Sequence, residues 1–153
     1  MRVYLVQHGE AKTKQADPER PLSARGKQSC RSSGSFLQSR GVRVSAVWHS
    51  KKLRAKQTAE ILAATTGGSA LEEKEGLGPK DALTTVRQAL AETTQDVMIV
   101  GHLPHLNRLA SQLIAEDEAA DCVQFQNAGV VCLEQDADRK WRMAWMVPPE
   151  LLK

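Results

Sequence analysis

Leu5-Val6-Gln7-His8-Gly9-Glu10-Ala11 follows directly on an apolar run that begins at Val3-Tyr4. A run of β-branched, aromatic and aliphatic side chains that halts at glycine reads as a buried strand ending in a tight turn. His8 then stands where strand passes into loop. In open α/β sheets ligands bind at that edge, outside the carboxyl ends of the strands. The function of the chain turns on what else arrives there.

Asp96-Val97-Met98-Ile99-Val100-Gly101-His102 repeats the design, an apolar run closed by glycine and histidine. Pro104 suits the first turn of a following helix. Leu106, Leu109, Ala110, Leu113 and Ile114 then fall at i, i+3, i+4, i+7 and i+8, the strongest amphipathic pattern in the chain. Between the two runs, Ser23 is a helix N-cap, with Cys30, Gly34 and Leu37 on one face and Arg40-Gly41 as the stop. Val42 to Trp48 reads as a second strand. Ser50 reads as the N-cap of a helix carrying Leu53, Ile61 and Leu62, ended by Gly67-Gly68. A weak strand at Ala70 to Glu73, a loop at Gly76 to Pro79 and a third helix marked by Leu83, Val86 and Leu90 follow. Ala128 to Glu134 and Trp141 to Val147 pair as an antiparallel hairpin around Asp136-Ala137-Asp138. Strands alternating with helices predict an α/β fold, a three-layer α/β/α sandwich with a mostly parallel sheet and an antiparallel edge near the C-terminus.

Composition narrows the function. With 153 residues, 41% hydrophobic and 25% charged, the chain is an ordinary globular one of single-domain size. A net charge of +3 is too small to argue for nucleic acid, and three tryptophans, one tyrosine and two phenylalanines make no base-stacking platform. Cys30, Cys122 and Cys132 form no CxxC pair and cannot all pair internally, which suits reduced thiols in a cytoplasmic protein. No apolar run is long enough for a signal peptide or a membrane span. The expectation is a soluble cytoplasmic protein with no nucleic-acid or membrane partner.

Either histidine alone merely ends a strand; two at one sheet edge suggest a site. Lys51, Lys52, Arg54 and Lys56 crowd the start of the second helix, with no acid before Glu60. Cations there oppose the helix dipole by roughly 0.3–1 kcal/mol each when exposed. A solvated basic face accounts for some of them. A bound anion offsets the whole arrangement, and phosphate is the usual candidate.

These segments resemble the histidine phosphatase superfamily, also called the phosphoglycerate-mutase-like fold. Its pattern is strand-Arg-His-Gly, then His-Ser-Pro-x-x-Arg-Ala-x-Gln-Thr, then a second histidine after a late strand. Here the counterparts are Gln7-His8-Gly9-Glu10-Ala11, His49-Ser50-Lys51-Lys52-Leu53-Arg54-Ala55-Lys56-Gln57-Thr58 and Gly101-His102-Leu103-Pro104. The small size and the segment Arg20-Pro21-Leu22-Ser23-Ala24-Arg25-Gly26 are most similar to the SixA-type phosphohistidine phosphatases. The resemblance implies one histidine-phosphatase-like domain over residues 1–153. It implies His8 as nucleophile, Arg54 and His102 as phosphoryl-binding catalytic groups, and a phosphorylated histidine-containing protein, such as a histidine phosphotransfer domain, as substrate. Inorganic phosphate is the product, with no cofactor and no metal.

Two departures qualify this. Gln7 replaces the family arginine at the phosphate, losing a charge and a bidentate fork. No firm match exists for the carboxylic acid that ester-cleaving relatives use; Glu75 and Asp81 flank the loop in the stretch where such an acid comes. A missing acid fits the SixA type, because imidazole can leave a phosphoramidate unaided. The rival readings are a small phosphomonoesterase and a catalytically weak phosphate-binding relative. His105 reads as a residue behind the site or on its rim rather than a metal ligand. Asn127 reads either as a turn residue or as one that reaches the site.

Overall fold

The computed structural model describes residues 1–68 and 70–152. Strand β1 (Arg2–Gln7) leads to helix α1 (Ala24–Ser39), β2 (Ala46–His49) to α2 (Leu53–Ala63), and β3 (Ala70–Glu73) to α3 (Thr84–Ala91). Then β4 (Val97–Gly101) leads to α4 (His105–Ala115), and β5 (Val130–Gln135) and β6 (Trp141–Val147) close the sheet. The strand order is β3-β2-β4-β1-β5-β6. Contacts β2–β3, β2–β4 and β1–β4 are parallel, whereas β1–β5 and β5–β6 are antiparallel. The expected three-layer architecture with an antiparallel C-terminal edge is the one observed.

Alternate residues of the central strands feed two cores. Val3, Leu5, Trp48 and Ile99 pack with Leu83, Val86, Leu90, Leu106 and Leu109, so α3 and α4 cover one face. Tyr4, Val6, Val47, Met98 and Val100 pack with Leu37, Ala55, Ala59 and Leu62, so α1 and α2 cover the other. Each fully buried leucine contributes roughly 1.5–3 kcal/mol. The helix after β1 and the helix after the adjacent β4 thus lie on opposite faces. That divergence opens a crevice at the carboxyl ends of these two strands, where both histidines emerge.

Helix α1 begins as expected, with the Ser23 side chain accepting from the Gly26 amide, and ends at a left-handed Gly41 (φ 68°). Two expectations need correction. The second strand starts at Ala46, not Val42: the Val42 amide bonds back to Leu37 in the helix end, and Val44 bonds to Thr66. Val42 and Val44 are apolar because they cover the α1–α2 face, not because they alternate in a strand. Ser50 does not cap α2; Lys52 holds the N-cap position without a side-chain cap, and Ser50 is used elsewhere.

Candidate active site

His8 extends the β1–β4 ladder by one bond, its amide donating to Gly101 O at 3.1 Å. Its carbonyl accepts from the Asn127 side-chain amide at 2.9 Å, so the backbone is fixed from both sides. The ring is fixed as well. Nδ1 lies 2.7 Å from the Gly9 carbonyl, an acceptor only, so Nδ1 carries the proton and Nε2 is left unprotonated. Gly9 is required by close approach and not by a special φ. A Cβ there would lie 2.7 Å from Cys30 Sγ and 3.0 Å from Gly26 O, on the passing helix α1.

The first half of α2 organises this loop residue by residue. Arg54 directs Nε at His8 Nε2 from 3.4 Å. Ala55 is wholly buried beneath it. Gln57 accepts the Leu22 amide at 2.8 Å, tying down the segment after Arg20-Pro21. Thr58 accepts the Gly9 amide at 3.0 Å while donating to Arg54 O at 2.8 Å. One helical turn therefore sets the positions of the guanidinium and of the nucleophile loop together.

His102 follows β4, is 2% exposed, and faces His8 with ring centroids 5.0 Å apart. Its Nε2 lies 2.6 Å from Ser50 Oγ, and its Nδ1 is buried without a hydrogen-bond partner. Burial pushes the His8 pKa down to about 4, helped by Arg54 and Arg20 and opposed by the Gly9 hydrogen bond. Burial, then His8, Arg54, Lys52 and His105, bring His102 down to about 3. Both imidazoles are neutral near pH 7. Burial and then Arg20 lower the Arg54 pKa, but from so high a value that it keeps its charge.

Gln7 ends β1 opposite Gly101, one residue before His8, and its Oε1 is buried without a partner. The additional cation acting on both His8 and Arg54 is Arg20, and Lys52 acts on His102. Arg20 has a left-handed backbone (φ 49°) and donates from Nε to Lys12 O at 3.1 Å. Nothing in the sequence around Arg20 singles it out for the site, because its place there depends on the loop fold. The structure thus brings His8, Arg54 and His102 together, places Gln7 one residue before His8, and adds Arg20, Ser50 and Thr58 around them.

The profile of the histidine phosphatase superfamily (branch 1) matches residues 3–78. An uncharacterized protein of Picosynechococcus sp. is 31% identical over 146 residues, 91% of this chain and 88% of its own. The chain belongs to the histidine phosphatase superfamily. Among solved structures, the protein histidine phosphatase SixA complexed with tungstate superposes over 100% of both chains, with a TM-score of 0.87 and 25% identity. The alpha-ribazole phosphatase of Shigella flexneri shares the fold over 97% of both chains, with a TM-score of 0.76 at 16% identity. Family and fold make the protein a phosphatase, a hydrolase.

Asp81 is committed to its own loop, Oδ2 accepting the Gly78 amide at 2.8 Å and its carbonyl accepting from Arg108 at 3.2 Å. Glu75 is exposed and, with Ser50, Lys51, Lys52 and Lys80, lines a cleft of about 550 Å³ beside the crevice. His105 lies behind the site and not on its rim, 0% exposed, with the Gly76 backbone beside its ring. Asn127 satisfies both of its readings, since it precedes β5 in a turn and holds the His8 carbonyl. Cys30, Cys122 and Cys132 are free thiols. Among the described residues no group of three or more His, Cys, Asp or Glu side chains could hold a metal ion. Among them, too, no helix is long and apolar enough to cross a membrane.

Proposed function

We propose that this phosphatase hydrolyses phosphohistidine on a protein, with His8 as the covalent nucleophile. The observation that carries the reading is the tautomer of His8: Nδ1–H is held by Gly9 O, which leaves the Nε2 lone pair beside Arg54. In the first step that lone pair attacks phosphorus, and the P–N bond of the substrate breaks. The bonding electrons leave with the substrate imidazole, which departs neutral when its other nitrogen carries a proton. In the second step water attacks phosphorus, the P–Nε2 bond breaks, and inorganic phosphate and neutral His8 are regenerated. Arg54 and His102 hold the phosphoryl oxygens, where positioning and fixed donors supply most of the catalysis. Gln7 adds an amide at the same phosphoryl group.

The choice of phosphoramidate over ester rests on the missing acid. An alkoxide leaving group needs a proton; Asp81 and Glu75 both line the cleft next to Ser50, but Asp81 Oδ2 is engaged by the Gly78 amide and Glu75 is exposed to solvent. The likeness to SixA, a protein histidine phosphatase, supports the same choice. None of the steps calls on a metal. Quenched-flow trapping with a labelled phosphoramidate tests the reading. An acid-labile, base-stable phosphoryl group on His8 is the expected result, and steady turnover without it would sink the proposal.

A further inference from the structure

We propose that Ser50 is a positioning residue that fixes the proton of His102 on Nδ1, making that nitrogen the donor to the phosphoryl group. The donor role of His102 rests on the phosphoryl-transfer reading above; the tautomer itself does not.

Ser50 is 2% exposed, and its hydroxyl has one proton to place. The Oγ already accepts the Lys52 amide at 3.3 Å and lies 2.6 Å from His102 Nε2. Two arrangements are possible across that short contact. If His102 donated from Nε2, the buried Ser50 proton would have no acceptor among the described residues, and a buried unsatisfied donor is costly. If Ser50 donates, its proton is satisfied, Nε2 is the acceptor, and a neutral ring must carry its own proton on Nδ1. Nδ1 is the nitrogen that has no partner in the protein. A buried N–H without an acceptor, one ring away from the nucleophile, lacks only the oxygen that a phosphoryl group brings. The opposite tautomer would set a lone pair against that oxygen.

The contact also explains the sequence around it. Ser50 follows β2 and His102 follows β4, and these strands are parallel neighbours paired from Ala46–Val97 to His49–Val100. Neither partner is visible to the other along the chain. The sheet brings them together, one residue past His49 and two past Val100.

Protein carrying nitrogen-labelled histidine, observed by two-bond proton–nitrogen correlation without substrate, reads the tautomer directly. The His102 signals are identified by their loss in His102→Gln. In the wild type the proton is expected on Nδ1, and the Nδ1–H signal should shift on titration with orthovanadate. Ser50→Ala should spread the proton over both nitrogens and weaken orthovanadate binding about 3- to 10-fold, the scale of one hydrogen bond. Ser50→Thr, which keeps the hydroxyl, should retain the wild-type tautomer. A wild-type His102 protonated on Nε2, or a Ser50→Ala protein with the wild-type tautomer, overturns the proposal. A wild type with the Nδ1–H tautomer that forms no phosphoryl-His8 would overturn the proposed reaction and leave the role of Ser50 standing.

Discussion

Arg54 Nε and His8 Nε2 face each other across 3.4 Å, with the nucleophilic lone pair and the guanidinium directed at the same small volume. A phosphorus atom attached to His8 Nε2 therefore has its oxygens beside Arg54 from the moment it arrives. His8→Ala should abolish turnover and leave the thermal midpoint close to that of the wild type, since a partly exposed histidine at the end of a strand carries little packing. Arg54→Ala and His102→Ala should each lower kcat about 10²–10³-fold, the loss of one transition-state donor. Steady-state kinetics with thermal unfolding checks all three; a His8→Ala protein that keeps most of its rate removes His8 as nucleophile.

Leaving-group chemistry should order the substrates. Phosphoramidates and phosphohistidine peptides should turn over far faster than alkyl phosphates, with activated aryl phosphates between them. Chelators should leave these rates alone. Comparing kcat/KM across the three classes, with and without chelator, is the measurement. A chelator-sensitive enzyme that prefers sugar phosphates contradicts both expectations.

Gln7 replaces a charged fork by a neutral amide. One amide hydrogen bond contributes about 0.5–1.5 kcal/mol net, against roughly 1.5–3 for a charge-assisted one. Gln7→Arg should therefore bind phosphate or vanadate several-fold more tightly and turn over faster. Arg20 already places a cation near His8 and Arg54, so the gain should be larger in an Arg20→Ala background. Vanadate inhibition of the four proteins decides this; no gain in either background would mean that Gln7 does not stand where the family arginine stands.

Two glycines should prove structural. A Cβ at Gly26 would lie 2.0 Å from the Glu10 carbonyl oxygen, a backbone atom, whereas one at Gly9 would meet Cys30 Sγ at 2.7 Å and Gly26 O at 3.0 Å. Overpacking of this kind costs about 1–3 kcal/mol where side chains can yield and more where backbone must. Gly26→Ala should therefore lower the urea midpoint more than Gly9→Ala. Both should reduce kcat, since each pushes the nucleophile loop off α1.

The depressed imidazoles give the stability a pH dependence. His8 titrates near 4 when folded against 6.5 when unfolded, so between these values the unfolded chain binds a proton that the native one refuses. The stability is fully present above about pH 6.5 and falls as the pH is lowered toward 4. Thermal midpoints should drop across that window, less steeply in His8→Ala. An NMR titration of the His8 ring should place its midpoint well below 6.5.

The strands that matter most were legible because their apolar runs are short, unbroken and closed by Gly-His or His-Gly. Helix α4 was legible from its periodicity, and α1 from a capping serine and a terminal glycine. The start of β2 was not, because Val42 and Val44 imitate strand alternation while bonding to a helix end and to Thr66. Ser50 was misread for a deeper reason. A serine just before a helix fits an N-cap on local grounds, and only the adjacency of β2 and β4 diverts its hydroxyl to His102. Arg20 was hidden likewise, since its effect on the site depends on a loop pinned through Gln57 and Lys12.

The paired ends of β1 and β4 have one more consequence. Gln7 lies directly opposite Gly101, so each histidine is the next residue beyond a matched pair of a parallel ladder. The 5.0 Å between the two rings is close to the roughly 4.8 Å that separates any neighbouring strands. The matched ends of β1 and β4 thus set the two histidines side by side, and Gly9 O and Ser50 Oγ then orient their rings. Segments 11–21 and 74–82 lie outside this ladder, so a change in either alters what surrounds the two histidines, Arg20 included, and leaves their placement to β1 and β4.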